Sequence, residues 1–206
     1  MNQGRFISLE GGEGVGKSTQ LRALAEALSR LGKDVLTTRE PGGSAGAEAI
    51  RAMLLDGASD RWSMRAEALL FAAARADHVE KTIRPALADG RWVLSDRFLD
   101  SSLAYQGGAG KLGIEDVRAL HRFGSEDFLP DRTLVLILPG GAERALQRDG
   151  GASDRIGGRP ASYHQAVEDA FRAIAAQEPG RVHLIDAGGS PDEVTARLVD
   201  ALQDLL

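Results

Sequence analysis

One stretch constrains this chain more than any other. Gly11-Gly12-Glu13-Gly14-Val15-Gly16-Lys17-Ser18 matches G-x-x-x-x-G-K-[ST] without a gap. It follows Phe6-Ile7-Ser8-Leu9, an apolar run of strand length. It opens a segment in which Leu21, Leu24, Ala25, Leu28 and Leu31 recur at helical spacing, with Gly32 as the stop. Glycines between a strand and a helix let successive backbone N–H groups face one concavity, and the helix amino end adds partial positive charge. The stretch therefore predicts a phosphate cradle formed by Gly11, Gly12, Glu13, Gly14, Val15, Gly16, Lys17, Ser18 and Thr19. Lys17 is placed to reach the β and γ phosphates of ATP, and the Ser18 hydroxyl to ligate Mg²⁺. The dinucleotide fingerprint G-x-G-x-x-G is not met, which argues against a Rossmann dehydrogenase.

The remaining pattern supplies a fold around that cradle. Asp34–Thr38, Trp92–Ser95, Leu134–Leu138 and Val182–Ile185 are further apolar runs of strand length. They alternate with longer helical patterns, the fold class of an α/β protein with a five-stranded parallel sheet flanked by helices. An alanine-rich helix is predicted from Met64 to Ala88, kinked or ended by Pro85, and a last helix from Pro191 to the carboxy terminus. The 206 residues suit one domain, with no internal repeat and no linker. Without cysteine, disulfides and thiolate chemistry are ruled out. The net charge of −5 argues against a nucleic-acid partner. No apolar run approaches the ~18 residues of a membrane span, and no secretory signal opens the chain, so a cytoplasmic location is expected. His78, His121, His164 and His183 show no metal-ligand spacing.

Phosphoryl transfer needs more positive charge than one lysine and a metal provide, and Gly14 stands where the loop could have carried an arginine. The Gly/Ser-rich stretch of about 149–160 interrupts the helical pattern and reads as a mobile lid. Arg148, Arg155 and Arg159, in or beside it, are predicted to close over the γ-phosphate. Asp96 ends the third apolar run, the place where parallel sheets present ligand-binding groups. It is expected to hold Mg²⁺ or its waters, and Arg97 to bind the acceptor phosphate.

Several ordered motifs extend this. They are Phe6–Gln20, Thr38-Arg39-Glu40-Pro41-Gly42-Gly43, Leu70–Val79, Asp96–Gly107, Pro130-Asp131 and Asp154-Arg155-Ile156. Together they make the chain resemble bacterial thymidylate kinases over essentially its whole length. The resemblance implies transfer of the γ-phosphate of ATP to dTMP, with Mg²⁺, in a homodimer. By the same resemblance Phe71 stacks on thymine and Arg75 bonds a base carbonyl. Ser102 and Gln106 add polar contacts, Tyr105 packs on the deoxyribose, and Glu13 lies near the 3′-hydroxyl. Arg39, Arg51 and Arg97 neutralise the monophosphate, and Pro41 is expected to be cis.

Three departures from the family pattern stand out. Gly157-Gly158 replaces an acidic residue after the lid motif, Ile137-Leu138-Pro139 lacks an aspartate at the end of the fourth strand, and Ser44 replaces threonine. Other readings of the residues remain: a kinase for AMP, GMP, UMP or CMP, a P-loop switch, or an inactive nucleotide-binding module. The Asn/Thr-Lys-x-Asp tetrapeptide of a guanine-specific switch is absent.

Overall fold

A computed structural model describes residues 3–58, 60–142 and 155–206. Five parallel strands form one sheet in the order β2-β3-β1-β4-β5. They are β1 (Phe6–Glu10), β2 (Val35–Arg39), β3 (Trp92–Asp96), β4 (Arg132–Ile137) and β5 (Val182–Asp186). Period-two alternation sorts the side chains into two cores. Ile7, Leu9, Leu94, Leu134, Leu136 and Ile185 face one side, where α1 (Lys17–Arg30) supplies Leu24 and Leu28. Phe6, Val93, Val135 and Val182 face the other. Each fully buried leucine is worth roughly 1.5–3 kcal/mol relative to exposure. The second face is more polar towards the carboxyl ends of the strands. There the Ser8 and Thr133 hydroxyls bond at 3.0 Å, and Ser95 and Glu10 are buried. The sheet edges β2 and β5 are only partly covered.

The helix after the cradle is bounded as its sequence predicts. Gly16 caps it in the left-handed region at φ 98°. At the far end Gly32 has φ 79°, its N–H donates to Ser29 O, and the Lys33 N–H donates to Leu28 O at 3.1 Å. This pair of bonds closes the orphan carbonyls, and the left-handed residue it needs is a glycine.

The second core is covered by helices that also build the site. These are α2 (Ala45–Leu55), α3 (Met64–His78), α4 (Arg84–Ala88), α5 (Leu99–Ser102), α6 (Ile114–Ser125) and α7 (Ala161–Gln177). α8 (Pro191–Asp200) packs against α1 on the opposite face. Ser44 caps α2 by accepting from the Ala47 N–H, so its hydroxyl does the work expected of a threonine there. The predicted helix over Met64–Ala88 is continuous but not uniform. A π-helical turn, Val79–Ile83, separates α3 from α4, and Pro85 sits in the first turn of α4. Proline lacks the N–H that a regular turn would offer to the carbonyl four residues back, and a wider turn just before it fits that deficit. A second π-helical stretch, Leu103–Ala109, continues α5.

Candidate active site

The cradle lies at the carboxyl end of the central strand, where the chain crosses from one side of the sheet to the other. Gly11 has φ 131°, and a Cβ there would lie 2.6 Å from the Leu136 carbonyl oxygen, so only glycine fits. Val15 turns down into the core and anchors the loop. Lys17 folds back over the loop, its Nζ donating to Gly11 O at 3.2 Å and Gly12 O at 2.5 Å. Burial, reinforced by Arg97, lowers its ammonium pKa, while Glu13 and Asp96 oppose the shift. An incoming phosphate would offer this lysine better partners than neutral carbonyls do.

Ser18 and Asp96, the two residues expected to hold Mg²⁺, meet, the hydroxyl donating to Asp96 Oδ2 at 3.3 Å. The other oxygen, Oδ1, is buried and has no hydrogen-bond partner among the described residues. An all-oxygen pair with free acceptor capacity suits Mg²⁺, which takes one or two protein ligands and completes its shell with phosphates and water. No cluster of three or more His, Asp or Glu side chains among the described residues offers a closed metal cage.

Arg97 is held in a left-handed backbone conformation, φ 71°, rare for a residue with a Cβ. Its Nη1 donates to Gly11 O at 2.9 Å and Ser101 Oγ at 3.1 Å, and its Nη2 to Glu13 Oε1 at 2.6 Å. Burial works against the charged guanidinium, yet Glu13, with Tyr105 and Asp96, raises its pKa and keeps it protonated. Glu13 is the counterpart: burial opposes its ionisation, but Arg97 and Lys17 pull it down to about 2. The Tyr105 hydroxyl donates to the same Glu13 oxygen at 3.0 Å. Beneath them Glu10 accepts from the Phe98 N–H at 2.7 Å and from Ser101 Oγ at 2.5 Å. Burial first, then the nearby Asp100, raises Glu10 to about 8.

A cavity of about 430 Å³ runs from the cradle to the acceptor side. Arg39, Arg51, Phe71, Arg75, Asp96, Arg97, Ser102, Tyr105 and Gln106 all line it, together with Lys17, Ser18 and Thr19. The structure thus brings the predicted acceptor set around one cavity. Glu40–Pro41 is cis, and Pro41 O accepts from Arg51 Nη1 at 2.7 Å. Tyr105 and Arg51 could have been exposed helical side chains. Instead Tyr105 is buried and both line the cavity. Arg75 is 3% exposed and fixed by three acceptors: Glu40 Oε2 at 2.8 Å, Phe98 O at 3.1 Å and Ser102 Oγ at 2.8 Å. Arg39 sits at the rim, paired with Glu48 at 3.1 Å.

Two of the arginines predicted for the lid are paired with a carboxylate of α3. Arg148 lies outside the described residues. Arg155 and Arg159 both donate to Glu67 Oε2, at 2.5 and 2.7 Å, and neither lines the cavity. Ile156 between them does. Sequence reasoning missed Glu10, Glu40, Glu67 and Ser101, the residues that orient the ones it named. Glu40 stood inside the Arg39–Gly43 motif, and Glu67 lies four residues before Phe71 on the same helix face, which is the signal that could have found them.

A parallel sheet with a phosphate cradle at its central strand, continuous with a cation-lined acceptor cavity, defines a P-loop phosphotransferase. Comparison with known proteins makes that specific. The family model described as thymidylate kinase matches residues 9–198. A thymidylate kinase of Rhizorhabdus wittichii is 64% identical over 98% of this chain and 99% of its own. One from Caulobacter vibrioides is 48% identical over 98% of this chain and 97% of its own. The crystal structure of thymidylate kinase from Ehrlichia chaffeensis superposes with a TM-score of 0.81 at 29% identity, covering 97% of this chain and 99% of that one. The chain belongs to the thymidylate kinase family.

Proposed function

We propose that this protein transfers the γ-phosphate of Mg-ATP to dTMP, yielding ADP and dTDP for dTTP synthesis. The observation that carries the reading is one cavity lined both by the cations Lys17, Arg39, Arg51 and Arg97, suited to phosphates, and by Phe71, Arg75 and Gln106, suited to a base. The second pKa of a phosphate monoester is near 6, so the attacking oxygen is already mostly ionised at neutral pH and needs no strong base. What must be overcome is repulsion between two polyanions and the entropy of bringing them into line. Arg97, pinned between Gly11 and Glu13, stands between the two phosphate sites and serves both. Lys17 leaves its loop carbonyls for the transferred group. Ser18 and Asp96 would hold Mg²⁺, which would neutralise charge on the nucleotide phosphates.

At the base end the half-buried Phe71 ring offers a stacking face. Arg75 presents a donor that Glu40 and Ser102 have already oriented. Tyr105 and Glu13, joined at 3.0 Å, are assigned to the sugar, where the tyrosine ring disfavours a 2′-hydroxyl. The segment 155–160 is the described part of a lid of about 149–160 within a single domain of 1–206. We assign it the exclusion of water.

A cytoplasmic homodimer completes the reading. Leu69 on α3 is 57% exposed and Phe123 on α6 is 94% exposed, and the two helices pack side by side. A second copy covering both would remove an apolar patch from water. No helix among the described residues is long and apolar enough to cross a membrane.

The test is ADP release with Mg-ATP against dTMP, dUMP, UMP, AMP, GMP and CMP. A preference for dTMP is expected. Faster turnover with a purine or ribonucleotide acceptor would retain the kinase and overturn Phe71, Arg75 and Tyr105 as thymidine readers.

A further inference from the structure

Glu67 is wholly buried, and it is the meeting point of three elements. It rises from α3, one turn before Phe71 and two before Arg75. Its Oε2 accepts from Arg155 and Arg159, and its Oε1 accepts from Gln106 Nε2 at 2.8 Å. Gln106 lines the acceptor cavity, and so does Ile156, the neighbour of Arg155. Arg155 Nε also donates to Leu54 O at 2.9 Å, next to the cavity-lining Leu55. A second path runs beside this one. Arg159 Nη1 donates to the Tyr163 hydroxyl, which in turn donates to the carbonyl of Tyr105 at 2.7 Å.

A carboxylate without solvent cannot give up one of these partners cheaply, because a buried charge stripped of a partner is strongly penalised. Gln106 and the two arginines are therefore not free to move independently. A ligand that reorients Gln106 therefore bears on Glu67, and through it on Arg155 and Arg159 in the segment 155–160. We infer that Glu67 is a positioning residue that couples occupancy of the acceptor cavity to the placement of residues 155–160. It does not touch the reacting phosphates. This inference rests on the reading of the cavity as the dTMP site, and it adds the means by which the protein senses that the acceptor is bound.

The experiment is backbone amide exchange of 155–160, followed by mass spectrometry with and without saturating dTMP. It is run on the full chain and on Glu67→Gln, with dTMP binding measured in parallel by calorimetry. In the wild-type protein dTMP should slow exchange of this segment at least tenfold. In Glu67→Gln the slowing should fall below twofold, although dTMP still binds and the far-ultraviolet dichroism is unchanged. Arg159→Met, which leaves Glu67 paired with Arg155 and Gln106, serves if Glu67→Gln does not fold, and should reduce the slowing at least threefold. Undiminished slowing in the variants, or none in a wild-type protein that binds dTMP, overturns the coupling alone. Failure of the wild-type protein to bind dTMP overturns the acceptor reading and the coupling with it.

Discussion

Arg75 offers a sharp energetic test, because both it and its partner are almost entirely removed from water. The Arg75 and Glu40 side chains are each 3% exposed and joined at 2.8 Å. Replacing Arg75 with methionine keeps most of the volume but removes the ion pair and the bonds to Phe98 O and Ser102 Oγ. Glu40 is left with its contact to His78 Nδ1 at 3.0 Å. Breaking one side of a buried pair typically costs about 3–5 kcal/mol, because the survivor remains buried and uncompensated. Against a total stability of roughly 5–15 kcal/mol this is a large fraction. It corresponds to a fall in melting temperature of roughly 6–20 °C for a chain of this size. Most of that cost belongs to the stranded carboxylate, so Arg75→Met/Glu40→Gln should be at least about 1.5 kcal/mol more stable than the sum of the single variants predicts. Equilibrium urea unfolding with an unchanged denaturant slope measures both quantities. A single-variant cost below about 1 kcal/mol, or strict additivity in the cycle, would refute the reasoning.

Lys17→Ala should lower kcat by at least about a hundredfold, the scale of losing one preorganised electrostatic contact, while leaving the unfolding transition nearly unmoved. Steady-state kinetics beside a melting curve would check this, and wild-type turnover would remove Lys17 from the mechanism. Gly11→Ala forces a Cβ to 2.6 Å from the Leu136 carbonyl oxygen at φ 131°, and should cost about 2–4 kcal/mol in urea unfolding along with most nucleotide affinity. Glu10 stands at about 8 in the folded protein against an ordinary 4.5. Below pH ~4.5 both folded and unfolded states hold its proton. Between ~4.5 and ~8 only the folded state does, so stability should fall as pH rises, by up to about 1.4 kcal/mol per unit. Glu10→Gln should flatten that slope between pH 5.5 and 8, and an unchanged slope would show that Glu10 does not titrate there.

The cradle, the strands and the acceptor wall were legible because each has a local signature. The loop declares its glycines, and strands covered on both faces are continuously apolar. The acceptor residues other than Arg51 sit in short motifs, and it is the resemblance those motifs carry that points to their roles. The orienting carboxylates were not legible, for a physical reason. In the sequence Glu67 is one charge in a helix, where a solvated face is the ordinary fate, and its arginine partner Arg155 is 88 positions away. Glu10 and Glu40 are likewise carboxyl groups whose burial depends on tertiary partners, Phe98 N–H and Ser101 for the first and Arg75 and His78 for the second. The bonds of Arg155 and Arg159 to Glu67 were hidden for the same reason, since charge and loop position point to a phosphate and say nothing of a carboxylate on α3. The π-helical turn before Pro85 was hidden because a proline signals that the regular bond pattern must yield, but not how.

The fate of the γ-phosphate separates a dTMP kinase from an ATPase or an inactive nucleotide binder. Wild-type protein should be mixed with equimolar Mg-ATP and dTMP and the products followed by phosphorus NMR. Stoichiometric ADP and dTDP, with inorganic phosphate at background, is the predicted result. ADP accompanied by inorganic phosphate and unconsumed dTMP, or no ADP at all, would contradict it.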